Sequence, residues 1–450
     1  MRFFRDSDRV AGERRWAMVT MTRRASVGVG LALAACLVAT ARPTRALTTS
    51  DKPASILIWP KIVVDTSGLF GPPTDTVIQL SNTTRSQTPS TATALQKQAH
   101  CFYIDGNSHC AANADNPGQV CQPGSSCPAG AGRAACEPGW SETDFDIILT
   151  PEQPIGWYAS QGLLSPPIAT TGFCLRNHNI QCNASNAAQV CGSSNGCQLL
   201  TNNLGTGIPR VPEDPFVGAL KCIEYDLTKI PAIPDQSTTR NTLAGSATIQ
   251  SLLDSDQPSV QNYNAVGLLA TGATGNTNGT NVLQLGGDKT LSISDPDFPE
   301  YEACPQFLIL DHYFDDSDFI DNTDLTLVPC GDDFQGGQPG NATAQFIVFN
   351  EFEQRFSTAR FVDCFFESTL SNIDTNNSSR SIFSFNVAGT LGGQTRITPV
   401  GNAATGRGLV GVARKFLDGQ GAAYNLFQTA DPNFDPTKGA VVNPDIITVP

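Results

Sequence analysis

The sequence predicts an all-β protein, and three observations predict it. Charged residues make up only 16% of the chain, whereas Gly (40) and Pro (30) are abundant, a composition of short strands joined by turns. Short apolar runs recur between turn residues, several alternating as half-buried strands do, as in Phe145-Asp146-Ile147-Ile148-Leu149. Sustained apolar stripes of helical period are scarce; Ala92–Ala99 reads as a short helix or a polar loop.

Taken in order, the predicted strands are Ile56–Val64, Thr76–Leu80, Cys101–Ile104, Phe145–Leu149, Leu220–Tyr225, Phe307–Leu310, Leu325–Val328, Ala344–Phe349, Arg360–Phe366 and Ile382–Val387. So many short strands with turns between them point to immunoglobulin-like β-sandwiches, and the length suits two domains. Four pairs of segments match in the same order. Ser55–Ile58 followed by Val64-Asp65 matches Gln306–Ile309 followed by Phe314-Asp315. Asp75–Leu80 matches Asp324–Val328, and His100–Tyr103 matches Asp363–Phe366. Leu243–Ala247 with Tyr263-Asn264 matches Leu409–Ala413 with Tyr424-Asn425. The expectation is two tandem, duplicated sandwiches, 51–285 and 300–450, joined by a Gly/Asp/Pro-rich linker, 286–299.

The first 46 residues read as an export signal. Arg23 and Arg24 precede the apolar run Ala25–Ala41, and Ala39-Thr40-Ala41 and Thr44-Arg45-Ala46 offer small residues for cleavage. Leu33-Ala34-Ala35-Cys36 resembles the lipobox of bacterial lipoproteins. That resemblance implies an acylated Cys36 and an anchor on the outer membrane; the plainer reading is a secreted or cell-envelope protein. Residues 1–46 hold nine Arg against Asp6, Asp8 and Glu13, while the whole chain is at −14, so the remainder is near −20. A surface of that sign repels phosphate backbones, which argues against nucleic acid as a partner.

Cysteine usage fits export. Cys101, Cys110, Cys121 and Cys127 are echoed by Cys174, Cys182, Cys191 and Cys197, with Gln-Val-Cys at 119–121 and 189–191. These lie in Asn/Gly/Ser-rich insertions near 106–140 and 176–200, too polar to form cores and in need of covalent staples. His109 and His178 sit beside them as alternative metal ligands, but neither module has the Cys-x2-Cys pair that structural zinc favours. Cys136, Cys222, Cys304, Cys330 and Cys364 complete the set. Without Cys36 the count is thirteen, so one thiol lacks a partner within the chain, and Cys304 with Cys330 is the expected pair.

Catalytic patterns are poor. Gly192-Ser193-Ser194-Asn195-Gly196 has the letters of a nucleophile elbow but lies between two cysteines, without the strand before it and the helix after it. Gly406-Arg407-Gly408-Leu409-Val410-Gly411 has the letters of a dinucleotide loop without the βαβ unit. His100, His109, His178 and His312 are the only histidines, and their spacing suggests no triad. The acidic tract Asp311, Asp315, Asp316, Asp318, Asp321 and Asp324 offers hard oxygen ligands for Ca²⁺, against the plainer reading of a solvated turn. Trp140, Trp157 and Tyr158 are candidates for stacking on sugar or for core packing. The expectation is a structural or adhesive protein that binds an extracellular protein or glycan. The alternatives are a secreted polysaccharide hydrolase and a carbohydrate- or calcium-binding module.

Overall fold

The structure is a computed structural model of the chain. It describes residues 52–69, 72–85, 97–121, 125–130, 132–163, 172–174, 177–182, 197–199, 207–226, 233–234, 241–251, 260–270, 281–286, 300–305, 307–315, 322–400, 408–417, 420–425, 427–428 and 445–450. The export segment with Cys36, and linker residues 287–299, lie outside them.

Strands dominate, as the composition requires. The two main sheets of the first half are built from β1 (Ile56–Val64), β2 (Thr74–Asn82), β3 (Lys97–Asp105), β4 (Glu142–Leu149), β5 (Pro154–Tyr158), β6 (Phe216–Asp226), β7 (Leu243–Ser251), β8 (Val260–Asn264) and β9 (Val266–Leu268). Those of the second are built from β10 (Leu308–Tyr313), β11 (Asn322–Pro329), β12 (Asn341–Asn350), β13 (Arg355–Asp363), β14 (Phe366–Thr369), β15 (Gly392–Val400), β16 (Leu409–Leu417), β17 (Gln420–Asn425) and β18 (Phe427–Gln428).

One strand order occurs in both halves. The first has sheets β9-β1-β6-β3-β4 and β8-β7-β2-β5; the second has β18-β10-β15-β12-β13 and β17-β16-β11-β14. An immunoglobulin sandwich sets strands 1-2-5-4 against 3-6-7. Here the 2–5 and 3–6 pairs are kept, but strand 1 lies beside strand 6 and strand 7 beside strand 2. The immunoglobulin-like expectation is corrected to this order. The run Ile56-Leu57-Ile58-Trp59 shows why: it is buried on both faces, so β1 takes an interior place between β6 and β9.

Register ties the halves residue by residue. The Thr76 hydroxyl accepts the Val63 N–H at 2.9 Å, and the Thr323 hydroxyl accepts the Tyr313 N–H at 3.3 Å. Val63 stands opposite Val217, and Tyr313 opposite Gly392. One residue on, Gly218 faces Asp105 and Gly393 faces Asn350. Gly218 is therefore the counterpart of Gly393, Asp105 of Asn350 and Ile104 of Phe349. A Cβ on Gly218 would lie 2.0 Å from the Ile104 carbonyl oxygen, and one on Gly393 2.9 Å from that of Phe349. Ala247 opposite Tyr263 likewise answers Ala413 opposite Tyr424.

Two of the sequence matches need correction. Thr76 corresponds to Thr323, so the Asp75 match to Asp324 is displaced by two residues. His100–Tyr103 lies on β3, whose counterpart is β12 and not the Asp363–Phe366 junction of β13 and β14. The predicted strand Ile382–Val387 is a further correction: Phe385–Ala388 is a short helix, its N-terminal N–H group at Asn386 capped by Ser384 and its end closed by Gly389 in the left-handed region.

Residues 46–450 form one compact unit with three large cores. Leu57, Trp59, Tyr103, Ile78 and Ile249 fill the space between the first pair of sheets, and Leu310, Leu325, Phe346 and Phe383 that between the second. A middle core joins the halves. Ile58, Phe102, Ile104 and Ile223 meet Val328, Phe334, Val410 and Ile447 there, with the Phe102 and Phe334 rings stacked at 4.0 Å. Two fully buried lysines of the first half reach into the second. Lys61 pairs with Glu367, and Lys221 with Asp332 and with the carbonyls of Pro329 (2.7 Å) and Cys330 (3.1 Å).

Candidate functional site

The first cysteine-rich insertion leaves the framework at the end of β3. Among the described residues, its short strands Ser108–Cys110, Val120–Cys121, Ser126–Ala129 and Gly132–Pro138 bury Cys110, Ala114, Cys127 and Ala134, with Cys121, Ala129 and Cys136 packed against them. Burial on that scale cannot hold thirty residues together. Disulfides Cys110–Cys127 and Cys121–Cys136, spanning 17 and 15 residues, do so, at about 3 kcal/mol each in the chain-entropy account.

Three ionisable side chains meet where this insertion joins the sheet. Asp105 ends β3, His109 sits in the first insertion strand, and Glu213 precedes β6. His109 Nε2 lies 3.1 Å from Glu213 Oε2 and 3.7 Å from Asp105 Oδ2. Asn107 orients both carboxylates: its N–H donates to Asp105 Oδ1 at 2.9 Å, and its amide donates to Glu213 and to the Pro215 carbonyl. Gly139 lets the imidazole in, since a Cβ there would stand 2.4 Å from His109 Nδ1. The Asp105 side chain is 3% exposed, while those of His109 and Glu213 are 23% and 25% exposed. Burial pushes the Asp105 carboxyl up to about 6, the Asn107 N–H opposing and the Glu213 charge reinforcing the shift. An imidazole and two carboxylates, closed on one side and open on the other, can hold a divalent cation or share a proton.

The other residues singled out from sequence are dispersed. Asp311 accepts from Gln394 at 2.9 Å, Asp315 accepts the Ser371 hydroxyl, and Asp324 pairs with Arg414 at 2.8 Å. These three go to different partners; Asp316, Asp318 and Asp321 lie outside the described residues. Trp157 is a core residue, its indole N–H donating to the Tyr103 hydroxyl at 2.7 Å. Trp140 packs on the middle core, and Tyr158 is exposed.

Cys304 is bonded to Cys330, and Cys101 to Cys222 across the β3–β6 ladder, so Cys101 belongs to the framework and not to the insertion. Cys364 is a buried free thiol whose Sγ approaches the Asp105 carbonyl at 3.6 Å. The side chains of Cys174, Cys182, Cys191 and Cys197, and of His178, lie outside the described residues. His109 turns to carboxylates and away from cysteine, because the neighbouring sulfurs are already oxidised. Gly408, in the segment that has only the letters of a dinucleotide loop, packs on Cys304, where a Cβ would stand 2.0 Å from the Cys304 Cβ.

A second feature is a surface. On the outer face of the β12–β15 sheet, Phe349 is 36% exposed, Val400 44% and Phe361 58%, and Arg396 lies 5.5 Å over the Phe307 ring. The register makes Ile104, Tyr225 and Lys221 the first-half counterparts of Phe349, Val400 and Arg396, and all three are buried in or beside the middle core.

Disulfides of this number belong to an oxidising, extracytoplasmic compartment. No helix among the described residues is long and apolar enough to cross a membrane. Set against protein-family profiles, curated proteins and solved structures, the chain matches none.

Proposed function

We propose that this is an exported, duplicated all-β binding protein, secreted or held at the cell envelope, whose contact surface is the outer face of the second half. The difference between the two pairs of corresponding faces supports this reading. On the faces opposite their own cores, Val410, Val412 and Val328 of the second half are buried against the first half, whereas their counterparts Ala244, Ser246 and Ser81 are small and half-exposed. That exposed face has been made polar. Among the described residues the outer face around Phe349 is also left partly exposed, yet it keeps Phe349, Phe361 and Val400, with Arg396 over the Phe307 ring. Aromatic residues and arginine are the types that concentrate binding energy at protein interfaces. An extracellular protein is the partner this favours, with a glycan as the competing occupant.

The test is binding of the purified protein to envelope fractions and to a glycan array, beside the double variant Phe349→Ser, Phe361→Ser. Both side chains are exposed, so the fold should be kept while binding falls by roughly tenfold or more. Unchanged binding by the double variant would remove this face from consideration.

The hydrolase reading draws on Glu142. Burial first, then the charges of Asp144 and Asp332, push its carboxyl up to about 7, the range of a general acid. Release of reducing sugar from envelope polysaccharide that disappears in Glu142→Gln would favour that reading over binding.

A further inference from the structure

The three side chains at the base of the insertion form more than a structural contact. We propose that Asp105, His109 and Glu213 are the protein ligands of a divalent transition cation of the zinc class, with the fourth position open to solvent.

Geometry is the first support. A tetrahedral ion bound at about 2.0–2.2 Å places its ligand atoms roughly 3.3–3.6 Å apart. The His109 Nε2 distances of 3.1 Å to Glu213 and 3.7 Å to Asp105 bracket that spacing, and ligand atoms of all three residues lie within 4.8 Å of one another. The donor set, one imidazole nitrogen and two carboxylate oxygens, suits a borderline cation and leaves it with no net charge to bury. Asn107 fixes both carboxylates from behind, as the outer partners of metal ligands do.

The second half supplies an independent observation. Asn350 is the counterpart of Asp105 and performs the same local task. Its Oδ1 accepts the Phe352 N–H at 3.0 Å, two residues on, as Asp105 Oδ1 accepts the Asn107 N–H at 2.9 Å. A neutral amide is therefore sufficient to close this turn. The first half nevertheless places a carboxylate there, with its side chain only 3% exposed, at a desolvation cost that the turn does not require. The extra feature of Asp105 is its Oδ2, which faces His109. Asn350 instead turns its Nδ2 to Gln354 and to the Ala388 carbonyl, and no insertion follows it. Ligand chemistry and insertion occur in the same half. A bound ion would join the end of β3, the insertion and the segment entering β6 at one point, fixing the insertion to the framework.

The Cys110, Cys121 and Cys127 sulfurs also lie close together, but they are committed to disulfides and do not compete.

The experiment uses the full disulfide-bonded protein, stripped with EDTA and titrated with Zn²⁺ by calorimetry, and with Co²⁺ for its visible absorption spectrum. Wild type should take up one equivalent and show the bands of a nitrogen/oxygen-ligated, four- or five-coordinate cobalt ion. Asp105→Asn copies the second half and should keep the fold, yet lose more than the roughly 100-fold that a partner outside the ligand set can cost. His109→Ala should do the same. In EDTA, Asp105→Asn should melt no lower than wild type, which separates metal loss from misfolding. Absence of a stoichiometric site in wild type would overturn the proposal, as would unaltered affinity in Asp105→Asn.

Discussion

The two halves share a strand order and differ in what they cover. The β1–β6–β3 sheet of the first half is buried on both faces, so Ile56, Ile58, Phe102 and Ile104 have a core of their own behind Leu57, Trp59 and Tyr103. The corresponding β10–β15–β12 sheet buries one face and shows the other to solvent. One topology thus serves as an interior layer in the first half and as an outer wall in the second. Side-chain chemistry outside the shared ladder sets that difference, and it locates both the interface between the halves and the surface left over.

The comparison breaks most sharply at the buried charges that bridge the halves. Asp332→Ala would leave Lys221 buried with only carbonyl partners, and removing one member of such a pair costs about 3–5 kcal/mol. A loss below about 1 kcal/mol in urea denaturation would mean that the halves are stable independently.

Next comes the matched pair of truncations. Ile104→Ala in the middle core should cost about 2–5 kcal/mol, whereas Phe349→Ala, at the corresponding position but exposed, should stay within about 0.5 kcal/mol. Equal costs would contradict the assignment of one face as interior and the other as surface.

A further pair of effects is in pH, and the halves carry them with opposite sign. His312 is buried, and burial lowers it from 6.5 to about 4. Its contribution is full above 6.5 and is lost as pH falls toward 4, by up to about 3 kcal/mol. Glu142 in the first half is raised from 4.5 to about 7, so its contribution is full below 4.5 and is lost as pH rises toward 7. His312→Gln should flatten the acid side of a stability–pH profile, and Glu142→Gln the slope between 4.5 and 7. A profile that neither variant changes would exclude both groups as its source.

Legibility in the sequence followed how local each signal was. The match of Ser55–Ile58 to Gln306–Ile309 rested on a local apolar pattern, and the strands it touches, β1 and β10, hold the same place in the strand order. The Ala/Tyr matches on β7–β8 and β16–β17 held down to the register, because a hairpin fixes its own pairing. Cys101 and Cys364 misled: both precede aromatic residues, but one bridges two strands and the other sits at a positive φ of 62° beyond the end of β13. His109 was visible as a candidate ligand, with Asp105 four residues before it. Glu213, 104 residues away, carried no local signal at all.

By itself the sequence determined the all-β class and the need for staples in the first insertion. Each of these depends on composition, short-range alternation or counting. The tertiary structure alone decided that strand 1 lies inside its sheet, that one face of the first half is shared with the second, and that Glu213 meets His109. Those outcomes depend on which surfaces exclude water from one another, and only the folded chain brings distant residues close enough to choose.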